Sequence, residues 1–256
     1  MKKRNTETKN ISRTLAIADI HGSLKSLKDV LDKCNYNPKK DRLIFLGDYV
    51  DGWSQSAETV EYLIDLKNKA PEGNAIFVRG NHDVWVEDWF KMGVDPLIWT
   101  MNGGKTTIES YLNTMLVGDK RHAKFFSEMV NWFIDEDNRL YIHGGWDYRS
   151  GSFPMSALYP VNAGTTAKEC HWDRSLLAGA KSANSTRTEF NATKGFKNVY
   201  LGHTATKSHL PEKYGNLWIV DSGCGWHGKL TALDVETEEY YQSDYSKNHY
   251  PDEKGR

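Results

Sequence analysis

Apolar and polar positions in the N-terminal half of this chain fall into a repeating unit. Thr14 to Ala18 form a short apolar run that ends abruptly in Asp19 and His21. Leu24, Leu27, Val30, Leu31 and Cys34 follow at the three-to-four spacing of an amphipathic helix. The unit recurs: Arg42 to Leu46 is strand-like and ends in Gly47-Asp48, and Ser54 to Ala70 is helical, with Val60, Leu63, Ile64 and Leu66 on its apolar face. Ala75 to Val78 is a third run, ending in Gly80-Asn81-His82-Asp83. Continuous apolar runs alternating with helices predict parallel β-α units whose strands are buried on both faces. In such sheets the loops after the strand ends converge, so polar residues at successive tips meet at one place.

Beyond Asp83 the pattern loosens. Val84 to Phe90 and Asp119 to Phe133 have helical spacing, Met101 to Lys105 is a glycine-containing connection, and Leu140 to Ile142 is a strand tipped by His143-Gly144-Gly145. Trp146 to Thr193 is rich in Gly, Ser, Thr and Asn and predicts long loops around a short helix near Leu176. Loops of that length in a compact domain usually shape a site. Val199 to Leu201, Leu217 to Val220, Leu230 to Val235 and Glu238 to Gln242 read as an antiparallel meander completing a second sheet. From Ser243 on the residues are polar and predict a loose tail. The expectation is one domain over residues 1–256, with its core from about residue 13 to residue 243 and polar tails at both ends.

Composition narrows the class. A chain of 256 residues, 39% hydrophobic and 12% aromatic, can bury a substantial core. Its 33 Lys+Arg against 34 Asp+Glu leave a net charge of −1, which argues against a dedicated nucleic-acid-binding region. No apolar run approaches the roughly 20 residues of a membrane span, and Met1 to Asn10 is basic and polar with no apolar segment after it, so neither a membrane partner nor a secretory signal is expected. The three cysteines, Cys34, Cys170 and Cys224, are odd in number and lack C-x-x-C spacing, which fits a reducing compartment and predicts a cytoplasmic protein.

The chemistry lies at the strand tips. Five of them carry metal-type ligands: Asp19 with His21, Asp48 with Asp51, Asn81 with His82, His143, and His203 after Gly202. Carboxylate, imidazole and amide oxygen without thiolate suit an open catalytic cluster of Mn, Fe, Zn or Mg rather than a closed structural zinc site. Asp19 and His21 can hold one ion, Asn81, His143 and His203 a second, with Asp48 bridging. Two metals roughly 3.5 to 4 Å apart can generate a hydroxide and neutralise charge on a phosphoryl oxygen.

The ordered set Asp19-Ile20-His21-Gly22, Gly47-Asp48-Tyr49-Val50-Asp51, Arg79-Gly80-Asn81-His82-Asp83, His143-Gly144-Gly145 and Gly202-His203-Thr204 resembles the calcineurin-like metallophosphoesterase superfamily. Within it the set is similar to the phosphoprotein-phosphatase branch, which includes bacteriophage and bacterial Ser/Thr phosphatases and symmetrical diadenosine tetraphosphatases. Each motif alone is weak, but five in the family's order are specific. The resemblance implies an α/β (α+β) four-layer sandwich, with two mixed β-sheets flanked by α-helices and two divalent metals, manganese first, with iron, zinc, magnesium or nickel as alternatives. It implies a first metal on Asp19, His21 and Asp48, and a second on Asp48, Asn81, His143 and His203. It further implies His82 as the acid that protonates the leaving oxygen, Asp51 as the acceptor of its other ring N–H, and Arg79 and Arg174 as phosphate ligands. Where the family usually continues Asp-Arg-Gly this chain reads Asp51-Gly52-Trp53, so one clamp arginine is missing.

Two substrate readings follow, both with a phosphorylated partner. The leading one is hydrolysis of phosphate monoesters by a metal-generated hydroxide, on phosphoserine or phosphothreonine in proteins. The alternative is a nucleotide or RNA-end phosphoesterase, such as a dinucleoside polyphosphatase or 2′,3′-cyclic phosphodiesterase. The missing arginine favours it, as do the many tryptophans near the motifs, which can stack a base. A non-catalytic metal-binding module is disfavoured because no expected ligand is lost. His171, His209 and His227 are expected to be ordinary or substrate-side residues, and His122 and His249 to be solvated.

Overall fold

A computed structural model describes residues 11–147, 170–188, 190–191 and 195–256. The polar segment Met1 to Asn10 and most of the loops expected between Trp146 and Thr193 lie outside the described residues.

The three β-α units form as the periodicity predicts. β1 (Arg13–Ile17), β2 (Asp41–Phe45) and β3 (Ala75–Phe77) are parallel neighbours. The crossovers α1 (Leu24–Lys33) and α2 (Ser56–Lys69) turn Leu27, Val30 and Leu31, and Val60, Leu63 and Leu66, toward the core. The third helix, α3 (Asn81–Met92), starts at the tip of β3, capped by the Asp83 carboxylate, which accepts the Gly80 N–H at 2.8 Å. A single turn at Leu97–Trp99 runs into a π-turn, Thr100–Gly104, broken at Asn102 and Gly103, before α4 (Lys105–Asn113).

The helix expected over Asp119 to Phe133 is shorter. It is α5 (Lys120–Ser127), and the chain then becomes β4 (Trp132–Ile134). Val130 exchanges backbone hydrogen bonds with Phe77 and Arg79, drawing the chain out along the edge of β3. The aromatic and β-branched residues that follow pair antiparallel with β5 (Leu140–Ile142), so tertiary pairing overrides the helical spacing.

The meander is also corrected. β6 (Val199–Leu201) pairs parallel with β5 and with β8 (Leu217–Ile219), and a strand absent from the sequence reading, β7 (Glu212–Tyr214), pairs antiparallel with β8 at the sheet edge. β9 (Thr231–Asp234) and β10 (Tyr240–Gln242) join the first sheet instead. There β9 pairs with the otherwise open edge of β1. The result is two mixed five-stranded sheets, in order β10-β9-β1-β2-β3 and β4-β5-β6-β8-β7.

Strand alternation sorts the second sheet's residues. Leu140, Ile142, Val199, Leu201, Leu217 and Ile219 pack on Leu176, Leu177 and Ala180 of α6 (Ser175–Ser185), the helix expected near Leu176. Tyr141, Tyr200 and Trp218 point the other way, into the core shared with the first sheet. Two mixed sheets flanked by helices is the fold expected.

The C-terminal stretch is not a loose tail. A short α7 (Ser246–His249) leads into Tyr250, which is buried and stacked on Trp53 at 5.0 Å. Glu253 accepts the Ser54 N–H and hydroxyl at 2.9 and 2.7 Å, and the Arg256 N–H donates to the Gly225 carbonyl at 2.7 Å. Aromatic burial on Trp53 outweighs the polarity of the segment. Among the described residues no helix is long and apolar enough to cross a membrane.

Candidate active site

The C-terminal ends of β1, β2, β3, β5 and β6 deliver the motif residues to one buried place, so both sheets contribute. Asp48 lies at its centre. Its Oδ2 is 3.3 Å from His143 Nε2, 3.7 Å from His21 Nε2 and 4.0 Å from His82 Nε2. Two groups of ligand atoms can each hold a metal ion, His21 with Asp48 and His82, and Asp48 with His143 and His203. Asp48 is common to both.

The imidazoles are aimed by backbone carbonyls. His143 Nδ1–H donates to Leu46 O at 2.7 Å, and His21 Nδ1–H to the Asp51 and Val50 carbonyls at 2.8 and 3.0 Å. Both rings therefore aim Nε2 at Asp48, the way hydrogen bonds on the other ring nitrogen orient metal-ligating histidines. Asn81 Oδ1 lies 3.1 Å from His143 Nε2. Asp19 accepts the His203 N–H at 2.9 Å, and Gly202 makes room for it, because a Cβ there would stand 2.2 Å from Asp19 Oδ1.

His21, Asp48, Asp51 and His203 all have φ between 52 and 70°, the left-handed region. For non-glycine residues this costs on the order of 1 kcal/mol or more each, and such strain concentrates at functional sites.

Asp51 is a hub. Its Oδ2 accepts from His82 Nδ1 at 2.7 Å and Trp99 Nε1 at 2.7 Å, and its Oδ1 from the Thr107 hydroxyl at 2.6 Å. Asp83 accepts the N–H groups of Asp48 and Tyr49 as well as that of Gly80, which clamps the β2 tip onto α3. Burial, then the Asp48 charge, pushes Asp83 up to about 7.

Charge in the cluster is unbalanced. Burial alone would raise Asp48, but the imidazoles of His143, His82 and His21 hold it well below the usual carboxylate range. His143 is lowered by burial and lifted by Asp48 and Asp19, reaching about 9. Burial, then the neighbouring His143, pushes His203 down to about 2, and burial, then the Arg256 charge, pushes His21 to about 3. Asp19 is raised well above the ordinary range by burial and then by Asp221. Asp19 Oδ1, Asp48 Oδ2, His82 Nε2 and both ring nitrogens of His203 are buried with no hydrogen-bond partner. Buried polar atoms ordinarily all find partners, and a cluster of carboxylate and imidazole atoms without them fits divalent cations.

The remaining expected residues divide. Arg174 is exposed at the start of α6 and feels the charges of Asp48 and Asp19. The Arg79 guanidinium differs from expectation. Its Nη2 donates to the Phe126 carbonyl at 2.9 Å and sits 3.1 Å from Glu87, in the seam between α3 and α5. His122 is not solvated but buried between the Tyr111 hydroxyl and Glu61, at 2.9 and 2.8 Å, and His249 is half-buried beside Asp29. Trp53 and Trp99 are core residues, whereas Trp172 and Trp226 are exposed.

Asp221 and Thr107 were absent from the sequence reading, and Trp99 entered it only as one of the many tryptophans near the motifs, not as a partner of Asp51. Asp221 is buried within electrostatic reach of Asp19 and Asp48 and is pushed up to about 6, by burial first. It follows the run Leu217 to Val220 directly, the same strand-tip signature that marks Asp19. Trp99 and Thr107 carry no such signal.

Comparison with known proteins agrees with this geometry. The family model described as calcineurin-like phosphoesterase matches residues 12–205. The symmetrical bis(5′-nucleosyl)-tetraphosphatase of Pseudomonas fluorescens is 39% identical, with 89% of this chain and 93% of that protein covered. Serine/threonine-protein phosphatase 1 of Salmonella typhimurium is 22% identical over 90% of this chain and 95% of its own length. A serine/threonine phosphatase structure from Saccharomyces cerevisiae superposes with a TM-score of 0.61 at 16% identity, covering 90% of this chain and 75% of that one, a likeness of fold alone. The chain therefore belongs to the calcineurin-like phosphoesterase family, whose members are metal-dependent hydrolases of phosphoric esters.

Proposed function

We propose that this phosphoesterase acts on a phosphate ester carried by a nucleotide, with a dinucleoside polyphosphate as the substrate class its relatives suggest. The observation that carries this reading is an exposed aromatic wall beside the cluster. Trp172 stands 6.4 Å from His203 and 5.0 Å from Trp85, whose ring in turn meets His82 at 5.1 Å. An exposed indole next to phosphate-directed chemistry suits a stacked base better than a phosphopeptide. The leading expectation of a phosphoprotein substrate becomes the second reading, supported by the Salmonella relative.

In this proposal Asp19, His21 and Asp48 hold one divalent ion, and Asp48, Asn81, His143 and His203 hold another. Manganese is the first candidate for this mixed nitrogen and oxygen set. When bound, the ions supply an activated water and neutralise charge on the phosphoryl group. His82, oriented by Asp51, gives its Nε2 proton to the departing ester oxygen. Arg174 holds phosphoryl oxygens, and Arg79 is assigned to the α3–α5 seam. A cytoplasmic location fits the burial of Cys34, Cys170 and Cys224 with no disulfide among the described residues.

The test is a substrate panel of a dinucleoside tetraphosphate, p-nitrophenyl phosphate and a phosphoserine peptide, run with manganese and with Asp48→Asn as the blank. Turnover highest on the dinucleotide, with metal content measured by elemental analysis falling in Asp48→Asn, supports the reading. Preference for the peptide replaces it with the second reading, and unchanged activity and metal content in Asp48→Asn refutes both.

A further inference from the structure

The loop that lacks the expected arginine cannot regain one in place. Gly52 has φ +148°, a conformation L-residues rarely adopt, and a Cβ there would stand 3.0 Å from the His21 carbonyl and 3.2 Å from His21 Cβ. What lies over this loop instead is the segment ending in Arg256. Glu253 binds Ser54, and Gly255 lies so close that a Cβ on it would be 2.9 Å from Trp53 Cζ2 and 3.0 Å from the Gly225 carbonyl. The Arg256 N–H then donates to that carbonyl at 2.7 Å. Gly225 in turn presses on the His21 imidazole, where a Cβ would be 2.3 Å from Cδ2. Arg256 is thus seated one residue away from a candidate metal-ligating ring.

Its side chain is held and unspent. The guanidinium carbon lies 5.7 Å over the exposed Trp226 ring, within cation–π range. Among the described residues neither Arg256 nor Arg174 is ion-paired with a carboxylate. The Arg256 charge reaches His21, Asp221 and Arg174, and Arg174 also feels Asp48 and Asp19. Two mutually repelling cations with no direct ion pair among the described residues, set beside one cluster, are an arrangement that a bound anion relieves, and forked guanidinium donors match phosphoryl oxygens.

We propose that Arg256 is a phosphate-binding residue of this site, forming with Arg174 the clamp that position 52 cannot supply. The proposal rests on the phosphoester reading above, and its ligand is a phosphoryl group of the substrate.

Arg256→Gln keeps most of the side chain's bulk and removes the charge. With the manganese-loaded enzyme, KM and the inhibition constant for inorganic phosphate should each rise about tenfold or more. Arg256→Lys should recover part of the loss, and Lys254→Gln, which removes the neighbouring charge, should match the parent. An Arg256→Gln protein with unchanged KM and phosphate inhibition overturns the proposal. So does an Arg256→Lys protein as impaired as Arg256→Gln with an equal drop in Tm, since the loss then comes from unseating the segment. Calorimetric titration of the parent and Arg256→Gln with inorganic phosphate decides the matter even if no ester in the panel is hydrolysed, an outcome that would count against the substrate reading alone.

Discussion

His82 and Asp51 show what single residues do here. With its Nδ1 held by Asp51, His82 has only Nε2 left for a reacting group. A general acid matters in proportion to how badly the leaving oxygen needs a proton. His82→Asn should therefore lower kcat by roughly 10²- to 10⁴-fold on esters with poor leaving groups and far less on p-nitrophenyl phosphate. Equal losses on both would remove His82 from that role. At this scale most of the site was legible, because a polar residue closing a buried apolar run is conspicuous, as Asp19, Asp48 (one glycine on) and His143 are. Trp99 and Thr107 were not, since the single turn Leu97–Trp99 and the start of α4 that bring them to Asp51 carry no strand-tip signature. Arg79 shows another limit, because one guanidinium can serve a phosphate or a helix seam and only packing decides which.

Between elements, the pair Arg42–Glu136 joins β2 to the turn after β4, with bonds of 2.6 and 2.8 Å. Arg42 is buried and Glu136 largely exposed. Hydrogen bonding to Arg42 draws Glu136 down from 4.5 to about 2. A carboxyl depressed on folding stabilises fully above its unfolded value of 4.5 and loses that contribution as pH falls through about 2. Glu136→Gln should then cost about 1 kcal/mol at pH 7 after allowance for solvent screening. Urea unfolding of both proteins should show the gap narrowing below pH 4.5, and a gap independent of pH would refute the assignment. Element types were legible where periodicity was strong, as in α1 and α2. β4 was misread because helical spacing and an edge strand compete over the same few aromatic residues, and partner strands settle the contest.

For the molecule as a whole, the sequence could not reveal that the chain crosses back to the first sheet after β8, since short apolar runs carry no label for their partners. The C-terminal segment was hidden for the same reason: Tyr250 becomes a core residue only because Trp53, far away in sequence, offers it a face. Tyr250→Ala should cost about 3 kcal/mol. The Tm should then fall by roughly 6 to 12 °C, readable by calorimetry, and a change under 2 °C would return the segment to the status of a tail. The bond from the His203 amide to Asp19 joins positions 184 residues apart. A chain growing from its N-terminus therefore carries Asp19, His21 and Asp48 well before β6 exists to complete the cluster. Contacts so distant form late, because the entropy of closing the intervening loop must first be overcome. On the mechanism proposed above, hydrolytic power is the last property such a chain acquires, and a copy in which β6 has not yet docked lacks it.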